Sequence, residues 1–295
     1  MPEAPAAALL TVPEVAKRLR VSGRKVYDFA ARKGLAHTRA GGKMLFAAAD
    51  IDAWLARAAR GTGAGPASPT IAGSHDPLLD WAVRESRCGL ALLTQGSRDG
   101  LERLARGEVC AALIHLPSAD LSDFNREAAG QLLRGRNAAL LEWARREQGL
   151  LVARGNPKKI RAIADLARRG VRVAARQPGA GSAELLDRLL AREGLSAKDL
   201  RLGTAVTSER DLAEAVRRGE ADAGLGAKAA AGPGLAFVPL LVERLDLAVL
   251  RGAWFEKGLQ SLFALVRSRS FAEEARQLGG YDVRGAGTVT WNDPG

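Results

Sequence analysis

Between Gly61 and Pro69 the chain reads Gly-Thr-Gly-Ala-Gly-Pro-Ala-Ser-Pro, nine uncharged residues without an apolar period. Such a stretch supports neither an amphipathic helix nor a strand and reads as a linker. It separates a head, residues 1–60, from a body, residues 70–295, that is long enough for two lobes. It also divides the charge. The head holds eleven Lys/Arg and five Asp/Glu, so it carries +6 of the net +11. A basic excess concentrated in so short a segment is the footprint expected of a nucleic-acid-binding module.

The rest of the composition excludes several classes. Hydrophobic residues at 47% and charged residues at 26% fit a globular chain. No apolar run approaches the roughly 20 residues of a membrane span, so no membrane partner is expected. Two prolines and Glu3 precede the short apolar stretch near the start, the reverse of a secretory signal, and the expectation is a cytoplasmic protein. Two cysteines, Cys88 and Cys110, rule out a disulfide scaffold and a Cys-rich zinc site. His37, His75 and His115 are scattered, so neither a metal centre nor a resident cofactor is expected.

In the head, Leu10-Thr11-Val12-Pro13-Glu14-Val15-Ala16 predicts a helix start. Thr11 is the N-cap, Pro13 lies in the first turn, and Glu14 completes a capping box. Val15, Ala16 and Leu19 form its apolar stripe. Val21-Ser22-Gly23 breaks that helix and Ser22 caps the next, with Val26, Phe29 and Ala30 facing inward. Arg24, Lys25 and Tyr27 remain outward near its start, where the second helix of a helix-turn-helix meets the major groove. Leu35–Arg39 and Lys43–Phe46 alternate around Ala40-Gly41-Gly42 as a hairpin, with Arg39 and Lys43 flanking its tip. A third helix is expected behind Asp50 as cap, with Ile51, Trp54 and Leu55 inward.

With Gly34 and Asp52 in order among them, these motifs resemble the winged helix-turn-helix of the excisionase and MerR-like families over residues 9–57. The resemblance implies binding of double-stranded DNA, with Ser22, Arg24, Lys25, Tyr27, Arg39 and Lys43 as contact candidates. One such module reads few base pairs, so a specific binder is expected to be a homodimer. A small helical domain used for protein contacts is the other reading these residues allow.

The body alternates strand candidates with helical patterns. The strands are Thr70–Ala72, Leu90–Thr94, Val109–His115, Leu150–Ala153, Val171–Ala175, Leu235–Pro239 and Leu245–Leu250. The helices are Leu78–Arg87, Gly100–Arg106, Ile160–Arg168, Ala183–Glu193 and Asp211–Arg217. This alternation predicts an α/β fold with a parallel sheet. Four turns share one arrangement: small residues end a strand and a hydroxyl opens a helix. They contain Gly73-Ser74-His75-Asp76, Gly96-Ser97, Gly179-Ala180-Gly181-Ser182 and Thr207-Ser208. A helix start offers unpaired N–H donors and the positive end of the dipole, which suits an anion. The candidate ligand residues are Ser74, His75, Gly96, Ser97, Gly179, Ala180, Gly181, Ser182, Thr207 and Ser208. Whether His75, His115, Glu243 and Arg244 line the same cleft is left open by the sequence. Gly224-Leu225-Gly226-Ala227-Lys228-Ala229 has the form of a dinucleotide fingerprint. It lies too late in the chain for a first βαβ unit, and that reading is rejected.

The order of Gly73-Ser74-His75-Asp76, Gly96-Ser97, Arg176-Gln177-Pro178-Gly179-Ala180-Gly181-Ser182 and Gly219-x-Ala221-Asp222-x-Gly224-Leu225-Gly226 resembles the two-lobed periplasmic-binding-protein fold, in its molybdate-binding-like branch. The resemblance spans residues 70–285, makes the 224–229 segment a connection between the lobes, and implies a sensor that closes on a small anion, molybdate or tungstate first. That family often has Arg after the Gly-Ser turn, where Ala183 stands here. The combined expectation is a one-component transcriptional regulator that is not an enzyme. Two alternatives stay open: an enzyme of molybdenum-cofactor metabolism on a two-lobed fold, recognised by turnover, and an excisionase-like architectural DNA-binding factor, recognised by ligand-independent DNA bending.

Overall fold

The computed structural model describes residues 9–19, 21–32, 35–52, 54, 67–203 and 205–294. Gly34, Leu55 and linker residues 61–66, all weighed above, lie outside the described residues. The chain divides into two compact units, Met1–Gly65 and Pro66–Gly295.

In the first unit, β1 (Leu9–Thr11) leads directly into α1 (Val12–Leu19), followed by α2 (Gly23–Arg32), β2 (Thr38–Ala40) and β3 (Lys43–Ala47). β3 pairs antiparallel with both β1 and β2. Gly41 and Gly42 at the hairpin tip have φ of +56° and +75°, the double positive φ of a type I′ turn. The Glu14 carboxylate accepts both the Thr11 N–H and the Thr11 hydroxyl at 2.7 Å, fixing the start of α1. A third helix, α3, is described over 48–52 and at 54. It therefore begins before Asp50, which is not its cap. Asp50 lies instead in the first turn, where a carboxylate favours the dipole. Val15, Val26, Leu35, Phe46 and Ile51 bury the centre of this unit.

In the second unit the elements are β4 (Ser68–Gly73), α4 (Pro77–Ser86), β5 (Ala91–Leu93), α5 (Ser97–Arg106), β6 (Val109–Ile114), α6 (Arg126–Leu132), β7 (Ala138–Ala153), a 3-10 turn (Ile163–Ala167), β8 (Arg172–Ala174), α7 (Gly181–Arg192), β9 (Arg201–Leu202), α8 (Glu209–Arg217), β10 (Ala223–Ala227), α9 (Lys228–Ala231), β11 (Leu235–Leu250), α10 (Arg251–Trp254), α11 (Lys257–Val266), α12 (Arg269–Leu278), β12 (Tyr281–Asp282) and β13 (Val289–Asn292). β4 starts at Ser68, inside the range read as linker. The sheet order is β5-β4-β6-β11-β7-β10-β8-β9, with β12 and β13 also pairing β7.

Two long antiparallel strands, β7 and β11, run through both lobes, paired from Ala138↔Leu250 to Ala153↔Leu235 with register shifts between Pro239 and Leu241 and between Leu245 and Asp246. The first lobe covers one sheet face with α4, α11 and α12 through Leu78, Leu79, Leu259, Phe263 and Phe271. Leu101, Leu104, Ala128 and Ala129 of α5 and α6 cover the other face. In the second lobe, Ile163, Leu166, Leu185 and Leu189 pack on one face and Leu212, Ala213 and Val216 on the other.

Three expectations are corrected. The sheet is mixed, because β7 joins β11 and β10 antiparallel. Leu150–Ala153 is only the end of β7, and Leu235–Pro239 and Leu245–Leu250 are two parts of one strand, β11. Charged residues in mid-strand disguised this continuity. The segment at 224–226 does not connect the lobes: it lies in β10, an inner strand between β7 and β8.

Candidate ligand cleft and nucleic-acid interface

In the head, Ser22, Arg24, Lys25, Tyr27, Arg39 and Lys43 are all exposed. Val26 is fully buried between Lys25 and Tyr27, so packing of that one residue turns its neighbours outward on α2. The Ser22 backbone carbonyl accepts the Lys25 N–H at 2.9 Å, closing the first turn. Lys25 also lies over the Phe29 ring, 5.9 Å from its centre. Among the described residues Arg24, Arg39 and Lys43 form no ion pair, so their charge is available to phosphates.

In the body, the four Gly/Ser turns divide into two kinds. α4 and α8 are capped by their own side chains. Asp76 accepts the Leu79 N–H at 3.0 Å, and Ser208 accepts the Asp211 N–H at 3.0 Å. α5 and α7 are not. Their N-cap residues, Gly96 and Ala180, provide no side-chain acceptor, which leaves first-turn N–H groups for an outside partner.

These two uncapped starts meet across the lobes. The Arg98 N–H reaches the Gly179 carbonyl at 3.3 Å. Gly96 has φ of +114°, and a Cβ there would lie 2.8 Å from the same carbonyl, so backbone packs on backbone. Behind them the Ser74 and Ser97 hydroxyls bond at 2.7 Å, and Ser97 Oγ accepts the His115 N–H at 3.1 Å. A Cβ on Gly181 would sit 2.7 to 2.8 Å from three atoms of the His115 ring. Ser182, the next residue, is 2% exposed, and its hydroxyl is buried without a partner. Arg98 and Glu184 close the outer side with a bidentate pair at 3.0 and 2.8 Å.

The waist between the lobes is charged. Arg146 of β7 is 1% exposed and meets three carboxylates: Asp76 at 3.2 Å, Glu209 at 3.2 Å, and Glu243, its cross-strand partner on β11. Tyr281 donates to Asp76 at 2.6 Å. Glu243 also accepts Gln148 Nε2 at 2.9 Å and pairs with His115 Nδ1 at 2.9 Å. Burial alone would raise the Glu243 carboxyl, but the Arg146 charge and then His115 hold it down to about 2. Burial likewise works against the charge on Arg146, and Glu209, Glu243 and Asp76 override it. Arg176, beside the Gly179 turn, is pulled down by burial despite Glu209 nearby.

The structure therefore brings together Ser74, Gly96, Ser97, Gly179, Ala180, Gly181 and Ser182. Three other candidates engage their side chains with carboxylates of the helices they precede. His75 Nε2 pairs with Asp80 at 3.0 Å on α4, and Thr207 and Ser208 both bond to Asp211 of α8. His115 and Glu243 belong to the waist, whereas Arg244 turns to Asp246 and Asp123. Sequence reasoning missed Asp76, Arg146, Gln148, Glu209 and Tyr281. The available signal was Arg145-Arg146-Glu147-Gln148 inside a run that is apolar apart from Glu142. Among the described residues no cluster of His, Cys, Asp and Glu is arranged to hold a metal ion. No helix among them is long and apolar enough to cross a membrane.

A head of helix-turn-helix form followed by a two-lobed domain with facing helix starts defines a DNA-binding module joined to a ligand-binding module. The chain belongs to the PBP superfamily domain family, whose model matches residues 81–267, and a helix-turn-helix domain model matches residues 9–59. It is 32% identical over 197 residues to the uncharacterized protein YvgK of Bacillus subtilis (strain 168), across 66% of this chain and 63% of that protein. The chain thus spans less than two thirds of that relative's length. In fold it is similar to a putative phosphate ABC transporter substrate-binding protein from Clostridium perfringens solved with bound phosphate. There the TM-score is 0.54 at 13% identity, over 71% of this chain and 96% of the other. It is also similar to an OxyR C206 mutant of Corynebacterium glutamicum, with a TM-score of 0.50 at 16% identity, over 91% of this chain and 89% of the other.

Proposed function

We propose that the protein is a cytoplasmic one-component regulator whose homodimer binds DNA through the head and whose body closes on a small oxyanion. The observation that carries the ligand half is the meeting of the uncapped starts of α5 and α7, with Ser97 on one side and the unpartnered Ser182 hydroxyl on the other. First-turn N–H groups that no side chain caps, together with the unpartnered Ser182 hydroxyl, supply donors of the kind a small anion requires. The fold relative from Clostridium perfringens carries phosphate, an anion of that size. Molybdate and tungstate enter through the motif resemblance of residues 73–76 and 176–182. The head is DNA-binding by family, and regulation follows if the closed and open bodies position paired heads differently. The waist groups are engaged with one another, an arrangement that favours binding over catalysis.

Isothermal titration of the full chain with molybdate, tungstate, sulfate and phosphate tests the reading. Ser182→Ala is expected to weaken anion binding roughly tenfold, the loss of one hydrogen bond to a charged ligand. DNA affinity without ligand should stay as in the parent. Unchanged anion affinity removes Ser182 from the site. On the head, Arg24→Ala or Arg39→Ala is expected to weaken DNA binding across sequences. Each should lower the slope of log affinity against log salt by about one, measured by fluorescence anisotropy over a salt series. An unaltered slope assigns that residue no phosphate contact.

A further inference from the structure

The waist holds two polar atoms that are buried and without partners: the Ser182 hydroxyl and the Gln148 side-chain oxygen. Gln148 is fully buried, and its orientation is fixed. Its Nε2 donates to Glu243 at 2.9 Å, and reversing the amide would set its oxygen against that carboxylate. What remains on Gln148 is therefore an acceptor. Glu243 links it to His115, whose ring lies on Gly181 at the start of α7, one residue from Ser182. The two orphan atoms belong to one connected patch and ask for opposite things. Ser182 and the α7 N–H groups can donate to an anion, whereas Gln148 Oε1 needs a donor.

The charges beside them point the same way. Three carboxylates, Asp76, Glu209 and Glu243, surround Arg146, and Arg176 is the further guanidinium next to them. An anion with no proton would offer these carboxylates no donor and would leave Gln148 unsatisfied. One that carries a proton would give Gln148 its hydrogen bond. Resting on the oxyanion reading above, we propose that the guest is an oxyanion that brings its own hydrogen-bond donor, of the hydrogen phosphate kind. At neutral pH inorganic phosphate and arsenate keep at least one proton, and sulfate and molybdate keep none.

The test is titration calorimetry on the full chain with these four salts at neutral pH. Phosphate and arsenate are expected to bind at least tenfold tighter than sulfate and molybdate. Gln148→Met, which removes the acceptor at similar volume, should bring phosphate down to the level of sulfate. Sulfate or molybdate binding as tightly as phosphate to the parent chain overturns the inference and leaves the oxyanion reading in place. Binding of none of the four overturns that reading itself. If Gln148→Met does not fold, the ranking of the four anions on the parent chain decides.

Discussion

Replacing Arg146 with methionine is expected to destabilise the body by about 3–5 kcal/mol, the usual effect of removing one partner from a buried ion cluster. For a unit of this size that corresponds to a fall in melting temperature of roughly 6–20 °C. The reason lies in the imbalance it creates. Asp76, Glu209 and Glu243 would share a buried site without their common guanidinium, and Tyr281 and Gln148 cannot replace its charge. Acid unfolding should change as well. In the parent chain Glu243 is held down to about 2 from an ordinary 4.5. A lowered carboxyl contributes stability that is fully present above about pH 4.5 and is lost as pH falls towards 2. Without Arg146 that loss should begin at higher pH. Denaturant melts from pH 3 to 7 read both effects, and a change below about 1 kcal/mol with an unmoved acid limb would show that the cluster is not a charge balance.

Gly181→Ala is expected to weaken anion binding by tenfold or more while disturbing stability less than Arg146→Met does. The added methyl would lie 2.7 to 2.8 Å from the His115 ring, and that ring is held by its bond to Glu243. His115 directly follows β6 in the first lobe and Gly181 opens α7 in the second, so the collision falls on the contact between the lobes. Overpacking of this kind costs about 1–3 kcal/mol. Here it is charged mainly to the state in which the lobes meet. In a His115→Ala background the same substitution should have little further effect, giving a coupling that a double-mutant cycle measures. Equal losses in both backgrounds would mean that the ring is not the obstacle.

Local patterns made the head legible. The Thr11–Glu14 pairing, the break at Ser22-Gly23 and the Gly41-Gly42 turn are decided by neighbours in sequence, and they appear in the structure close to where the residues place them. In the body, helices such as Leu78–Arg87 and Ala183–Glu193 are readable from their 3.6-residue stripes. The mid-strand charges of β7 and β11 are not. Arg146 and Glu243 mark a loop by polarity alone, and only the pairing of two strands 97 residues apart in sequence makes their burial tolerable. Non-local compensation of this sort leaves no periodic trace. The same limit hid Asp76, which caps α4 and also serves Arg146 and Tyr281. The hydroxyl-rich turns were visible one at a time. Which two stay uncapped depends on whether a nearby side chain bends back, as Ser208 does and Ala180 does not.

The second lobe enters on β7 and leaves on the neighbouring β11, so it is in effect a domain inserted into the first. The first lobe is completed only by α10–α12, β12 and β13, which follow that insertion. On the ribosome, β4 to β6 must therefore wait, partly uncovered, while the inserted lobe assembles its compact sheet. The outer lobe joins early and late halves over long sequence separations, which makes it the slower to form and the more open to aggregation. Birth order along the message and order of folding run in opposite directions for these halves. Shortening the late helices is thus a more damaging lesion than their absence from the proposed ligand cleft would suggest.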